Sequence, residues 1–296
     1  MTRILALLGA TASGKSDLAL EVAAMRKIPI LSVDSMQVYR GLDIGTAKPT
    51  AAEQAKVRHL TIDLVEPDTE YSVAEFQQEA RRLLAHEDEV LIVGGSGLHF
   101  RSIVDPLEFP PTDRQLRASL EAIEDPVAQL IGADAGASEV LDLANPRRVV
   151  RALEILHLTG MTPTARSQHE SRRRFAEYVP LLEFTAVGID PGQLLMDLIE
   201  ERVQAMRAAG WWEEVERIGN SLGRTAAMAV GYRELREAQA GVRNVDRVWG
   251  DIAVATRGLA KRQRTYFRRD PRISWVSWSS DRTARMEAVE RALGLL

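Results

Sequence analysis

Apolar residues in this chain are gathered into short unbroken runs and helical stripes separated by glycine and proline. Ile4–Leu8 is entirely apolar, the pattern of a strand buried on both faces. It predicts a first strand, then a loop over Gly9–Gly14, then a helix from Lys15 to about Arg26 with Leu18, Ala19 and Val22 on one side. Ile28–Val33 reads as a second strand and Leu60–Val65 as a third. Ser72 stands three residues before Glu75, the capping-box spacing, and opens a helix over Ser72–Ala85. Val90–Val93 predicts a fourth strand ending in Gly94-Gly95, with a helix from Ser96 onward. Strands alternating with helices imply an α/β domain whose parallel sheet is covered on both faces.

The pattern changes near Asp105. Pro106, Pro110 and Pro111 break the chain, and helical segments follow: Asp113–Ile123, a short Ala/Gly-rich stretch, and Pro146–Leu158 closed by Gly160. No strand pattern occurs between 105 and 180. Phe184–Ile189 restores it, Leu194–Ala208 is an amphipathic helix with Leu195, Leu198, Ile199 and Met206 inward and Gly210 at its end, and Ile273–Trp278 reads as a last strand. The expected organisation is an α/β core over 1–107 and 181–296, interrupted by an all-helical insertion over 108–180. No fixed-period repeat is present.

Composition narrows the class. The chain has 296 residues, 45% hydrophobic and 27% charged, ordinary globular usage that excludes a wholly disordered chain. No run approaches the roughly 18 apolar residues of a membrane-spanning helix, and Ile4–Leu8 is too short for a secretory core. Without cysteine there is no disulfide framework, thiolate metal site or cysteine nucleophile. A cytoplasmic protein with no membrane partner is expected.

The net charge of −4 argues against a nucleic-acid partner, but its distribution argues the other way. Residues 145–178 hold seven arginines (147, 148, 151, 166, 172, 173, 174) against three glutamates, and 255–272 hold Lys261 and six arginines against Asp270. Two basic blocks on an acidic body suit either a polyanion or a pair of solvated helix faces.

The strongest motif is Gly9-Ala10-Thr11-Ala12-Ser13-Gly14-Lys15-Ser16, which fits G-x-x-x-x-G-K-[ST] between a strand and a helix. Gly9 and Gly14 permit backbone angles that aim N–H groups at an anion, and the helix beyond adds its positive end. Lys15 supplies a point charge, and the Ser16 hydroxyl can ligate Mg²⁺ beside phosphates. Lysine is scarce here, at 15, 27, 48, 56 and 261 only, so its use at this position points to a compact ammonium. The loop binds a di- or triphosphate. It does not decide whether a phosphoryl group is transferred or a diphosphate leaves.

Asp34 begins where the second strand ends, and ligands of open parallel sheets bind beyond those ends. Its carboxylate can take a proton from an incoming nucleophile or simply cap the following turn. Gln37 can read a base edge bidentately, and Asp43, Thr46 and Lys48 serve either as substrate contacts or as turn chemistry. Gly94-Gly95-Ser96-Gly97 allows close backbone approach to a ligand, while His99 reads as a packing or surface residue.

Read together in chain order, Gly9–Ser16, Asp34–Pro49 (DSMQVYRGLDIGTAKP), Tyr71–Phe76, Gly94–Leu98, Asn145–Glu154 and Ala260–Gln263 resemble the motifs of tRNA dimethylallyltransferases, also called tRNA isopentenyltransferases. The resemblance implies a P-loop NTPase-like core and transfer of a dimethylallyl group from dimethylallyl diphosphate to N6 of the adenosine 3′ of the anticodon. Asp34 matches the family's catalytic aspartate. Gly9–Gly14 and Lys15 would hold the leaving diphosphate, with Mg²⁺ at Ser16. Asp34, Ser35, Met36, Gln37 and Ser96 would meet the target nucleotide. Arg147, Arg148 and Arg151, with Lys261, Arg262, Arg264 and Arg268, would meet tRNA, the insertion closing over the anticodon stem-loop. A monomer is expected. Departures from the family pattern are Ala10 for Pro, Ser16 for Thr, Ser96 and His99 for Thr and Tyr, and Tyr266 for Trp. Two rivals stand beside this reading: a P-loop kinase of small molecules using ATP, and a tRNA-binding regulator with a degenerate phosphate site.

Overall fold

The computed structural model describes residues 2–296. Among them six strands form: β1 (Arg3–Gly9), β2 (Ile30–Val33), β3 (His59–Leu60), β4 (Glu89–Gly94), β5 (Phe184–Asp190) and β6 (Ile273–Ser277). They make one sheet ordered β3-β2-β4-β1-β5-β6, with every neighbouring pair parallel. The all-apolar reading of β1 has a direct cause. Ile4, Ala6 and Leu8 pack on one side with Phe76 and Phe100, while Leu5 and Leu7 pack on the other with Leu18 and Val22. Both faces are covered, so both parities must be apolar.

Most expected elements form within a residue or two. The helix over Val73–Leu84 starts at Ser72 with its capping box made, and the helix over Leu195–Ala208 ends at left-handed Gly210. Two expectations need correction, the third strand and Leu198. The third strand is two residues long rather than six, because Thr61 and Asp63 adopt left-handed φ of 61° and 52° and turn the chain out of the sheet. The Ala/Gly-rich stretch is helical as expected: Asp125 caps a helix over Pro126–Ala133, and a further turn of helix covers Ala137–Val140. Leu198 is half-buried, and Val203 takes the fully inward place on that helix.

The chain divides into two compact units, one running to Val104 and resuming over Leu182–Leu296, the other Asp105–Leu181. In the first, the two crossings lie side by side, the Leu182 N–H donating to Val104 C=O at 3.1 Å. The second is helical throughout, with its own core of Leu120, Leu130, Val149, Val150 and Leu153. Buried Glu154 anchors it, accepting from the Asp113 amide (2.8 Å), Arg117 (2.7 Å) and Arg151 (2.6 Å). Burial opposes its ionisation, but these donors hold its carboxyl below the ordinary range. Among the described residues no helix is long and apolar enough to cross a membrane.

Candidate active site

The C-terminal ends of β1, β4 and β2 lie next to one another because β4 sits between the other two. Adjacent strands are about 4.8 Å apart, so the loops leaving β1 and β2 start roughly 10 Å from each other. That span accommodates a small ligand. A cavity of about 720 Å³ opens there, its walls including Thr11, Lys15, Ser16, Asp34, Gly95, Arg202 and Gln263.

The loop after β1 has the geometry of an anion cradle. Ala12 (φ 63°) and Gly14 (φ 77°) are both left-handed, and the helix over Lys15–Arg26 begins with no side chain capping it, so its first N–H groups are open to an anion. Gly9 is required by packing: a Cβ there would stand 2.6 Å from the Ile189 carbonyl oxygen. The buried Ser13 hydroxyl has no hydrogen-bond partner among the described residues. Lys15 Nζ donates to Ala10 C=O at 3.1 Å, and the Thr11 amide donates to Gln263 Oε1 at 2.9 Å.

Sequence reasoning missed Arg202 and gave Gln263 no role. Arg202 lies on the Leu195–Ala208 helix in the stripe Leu195, Ile199, Arg202, Met206, and a cation in an apolar stripe is the signal that would have found it. Burial, then the Arg202 charge, lowers the Lys15 pKa to about 8, with Asp34 acting in the opposite sense. Burial likewise pushes Arg202 below its ordinary value, against the pull of Asp34 and Asp17. Two desolvated cations therefore face one carboxylate, a pocket that attracts further negative charge.

Of the two readings of Asp34, the cap is made. Its Oδ1 accepts from the Met36 amide at 2.8 Å and the Gln37 amide at 3.4 Å, so it does cap the turn. It also lines the cavity with Lys15 and Arg202. Ser35 and Met36 follow at intermediate exposure. Ser96 Oγ is 2.7 Å from His99 Nδ1, and His99 is buried edge-on against Phe76 at 4.7 Å. Burial lowers the His99 pKa to about 4, so the ring is neutral and fills space.

Several polar residues prove to hold the protein together. Gln37 is not free to read a base: its Nε2 donates to the Thr46 (3.1 Å) and Ala47 (3.2 Å) carbonyls and its Oε1 accepts from Ser32 (2.7 Å). Buried Lys48 donates to Asp43 (2.7 Å), Asp63 (2.6 Å) and the Tyr39 carbonyl (2.7 Å). Buried Glu214 accepts from the amides of Asp43, Ile44 and Gly45 and from the Tyr232 hydroxyl at 2.6 Å. The segment after Asp34 is thus a clamped loop. Of the basic residues, Arg147, Lys261 and Arg262 are exposed, and Arg148 makes one long ion pair to Asp142 at 3.8 Å. Arg151 is spent on Glu154 and the Pro110 and Pro111 carbonyls. Arg264 and Arg268 both donate to Asp190 at 2.7 Å.

Among the described residues no three acidic or imidazole side chains converge to hold a metal ion. The exposed Ser16 hydroxyl offers one hard oxygen in the first turn of the helix. This donor set fits an ion that arrives ligated mainly by phosphate oxygens and water, as Mg²⁺ does.

Residues 37–270 match the family model described as IPP transferase. A protein of Bifidobacterium longum subsp. infantis named tRNA dimethylallyltransferase is 39% identical, the match covering 93% of this chain and 86% of that one. One of the same name from Streptomyces avermitilis is also 39% identical, over 93% and 90%. Among solved structures, the tRNA isopentenylpyrophosphate transferase of Bacillus halodurans superposes with a TM-score of 0.70 at 28% identity, covering 100% of this chain and 99% of that one. A eukaryotic dimethylallyltransferase acting on tRNA shares the fold, with a TM-score of 0.76 at 20% identity over 96% of this chain and 77% of its own.

Proposed function

This chain belongs to the IPP transferase family, and on that premise we propose that it transfers the dimethylallyl group of dimethylallyl diphosphate to N6 of the adenosine at tRNA position 37, releasing diphosphate. The observation that carries the reading is the single cavity lined by both the Lys15 loop and Asp34.

The chemistry needs only what that cavity offers. An exocyclic adenine amine is a weak nucleophile, its lone pair being delocalised into the ring. Asp34 accepts the amine proton as the new C–N bond forms at the allylic C1. The C–O bond breaks and the diphosphate leaves with the electron pair. Lys15, Arg202 and the N–H groups of the Gly9–Gly14 loop stabilise the charge that develops on it, the interaction that usually contributes most to catalysis. Phosphorus is not attacked, so no base is needed to activate a phosphoryl acceptor. Ser16 would help hold Mg²⁺ together with the diphosphate, and the ion would supply further charge neutralisation.

On the RNA side, the target base must be extruded from its stack to reach Asp34. Ser35, Met36 and Ser96 surround its approach. The helical unit over Asp105–Leu181 contacts the anticodon stem-loop, with Arg147 and Arg148 as its exposed charges. Lys261 and Arg262 add phosphate contacts from the sheet unit. The protein works as a monomer in the cytoplasm.

Unmodified tRNA with an adenosine beside the anticodon, incubated with the protein, Mg²⁺ and dimethylallyl diphosphate, gains one isopentenyl mass on that nucleoside. ATP turnover without this gain would overturn the reading in favour of the kinase, which relatives named for transfer to tRNA do not favour.

A further inference from the structure

A second, smaller cavity of about 80 Å³ adjoins the first, sharing Thr11, Asp34, Thr46, Arg202, Met206 and Gln263 with it. Beyond that shared edge its walls turn mainly apolar, with Met36, Val203, Trp211, Val230, Tyr232 and Leu259, and the hydroxyl of Thr256 is used on the Ile252 carbonyl. A ligand whose diphosphate lies against Lys15 and whose C1 lies beside Asp34 has this space within reach of its hydrocarbon end. The space is about a ninth of the main cavity in volume, so a tail that reaches into it from the main cavity soon meets its end.

The back of this pocket is fixed. Trp211 is 2% exposed and Tyr232 fully buried, their rings edge-on at 5.8 Å, with Trp249 behind Trp211 at 6.2 Å. The indole lies so close to Gly45 and Gly231 that a Cβ on either would collide with it. The Tyr232 hydroxyl is tied to Glu214, and Glu214 is tied to the Gly45 amide. A wall braced on three sides cannot retreat to admit a longer chain.

Building on the function proposed above, we infer that Trp211 closes the prenyl pocket and limits the donor to a five-carbon tail. Trp211 is a specificity-determining residue, acting through the volume it removes. The tail packs on Trp211 and Leu259, and a ten-carbon geranyl diphosphate is excluded because its second isoprene unit meets the indole.

The test compares kcat/KM for dimethylallyl and geranyl diphosphate with the same tRNA, in the wild type, Trp211→Leu and Leu259→Ala. The ratio of the two donors cancels any difference in folded fraction, so a merely structural effect leaves it unmoved. The wild type is expected to prefer the five-carbon donor by at least about 100-fold, and each variant to move the ratio toward geranyl by about tenfold or more, the range one or two methylenes command in an apolar pocket. Should Trp211→Leu fail to fold, Leu259→Ala opens the same pocket from the facing helix. A wild type indifferent to tail length, or a ratio unchanged within twofold in every folded variant, overturns the inference while leaving the function standing. Failure of the wild type to prenylate tRNA with either donor strikes the function itself.

Discussion

Asp34 caps a turn, and on the proposed function it also takes a proton; a single atom change separates the two. Asparagine keeps an Oδ1 for the Met36 amide but cannot accept a proton. Asp34→Asn should therefore keep the wild-type melting temperature and tRNA affinity while single-turnover transfer falls about 10²–10⁴-fold, the usual contribution of a general base. Lys15 carries a second prediction, in pH. Its ammonium, with a pKa near 8, is lost as pH rises through that value, so donor kcat/KM should decline above it. Stability moves the other way. Between about 8 and the ordinary 10.5, the unfolded chain binds a proton that the folded chain has released. Stability therefore rises with pH across that window. Denaturant midpoints of the wild type minus those of Lys15→Met, measured from pH 8 to 10.5, should show that rise. A flat difference would mean that Lys15 titrates normally. The motif announced Lys15, whereas Arg202 was legible only as a polar interruption in a helix stripe, because no local spacing ties it to the loop it faces.

The clamped loop from Asp43 to Lys48 shows what one element demands of another. Glu214 sits on the Trp211–Ile218 helix, far away in sequence, yet it satisfies three successive loop amides and a tyrosine hydroxyl. Burial and the neighbouring Glu214 charge push the Tyr232 pKa well above its ordinary value, so the hydroxyl stays a donor. Glu214→Ala leaves those donors buried without partners. It should lower stability by about 2–4 kcal/mol and raise donor KM, read by thermal unfolding and steady-state kinetics. The helices and longer strands could be read from periodicity and caps. The short β3 could not, because left-handed Thr61 and Asp63 answer to Ser32 and Lys48 across the fold rather than to their neighbours.

At the scale of the molecule, counting basic residues and asking what each one does give different maps. Both charged blocks are visible in the sequence, but Arg151, Arg264 and Arg268 are also held by ion pairs within the protein. On the proposed function, Arg147, Arg148, Lys261 and Arg262, which stand exposed on the surface, are the candidates for phosphate contact. Replacing Lys261 or Arg262 by alanine should weaken tRNA binding and flatten the dependence of log K on log salt by about 0.7–0.9 for each phosphate no longer neutralised. Arg264→Ala should change that slope less and instead lower the melting temperature, because it strips a partner from Asp190, whose side chain is only 5% exposed. A filter-binding titration at several salt concentrations, beside a melting curve, separates the two groups.

The amide-to-carbonyl bond between Leu182 and Val104 has an architectural consequence. Where a chain departs and comes home through the same doorway, the guest between can be enlarged, trimmed or exchanged without rerouting its host. On the proposed function, RNA preference can then drift in the 105–181 segment over evolutionary time while the chemistry proposed for the ends of β1, β2 and β4 is inherited intact.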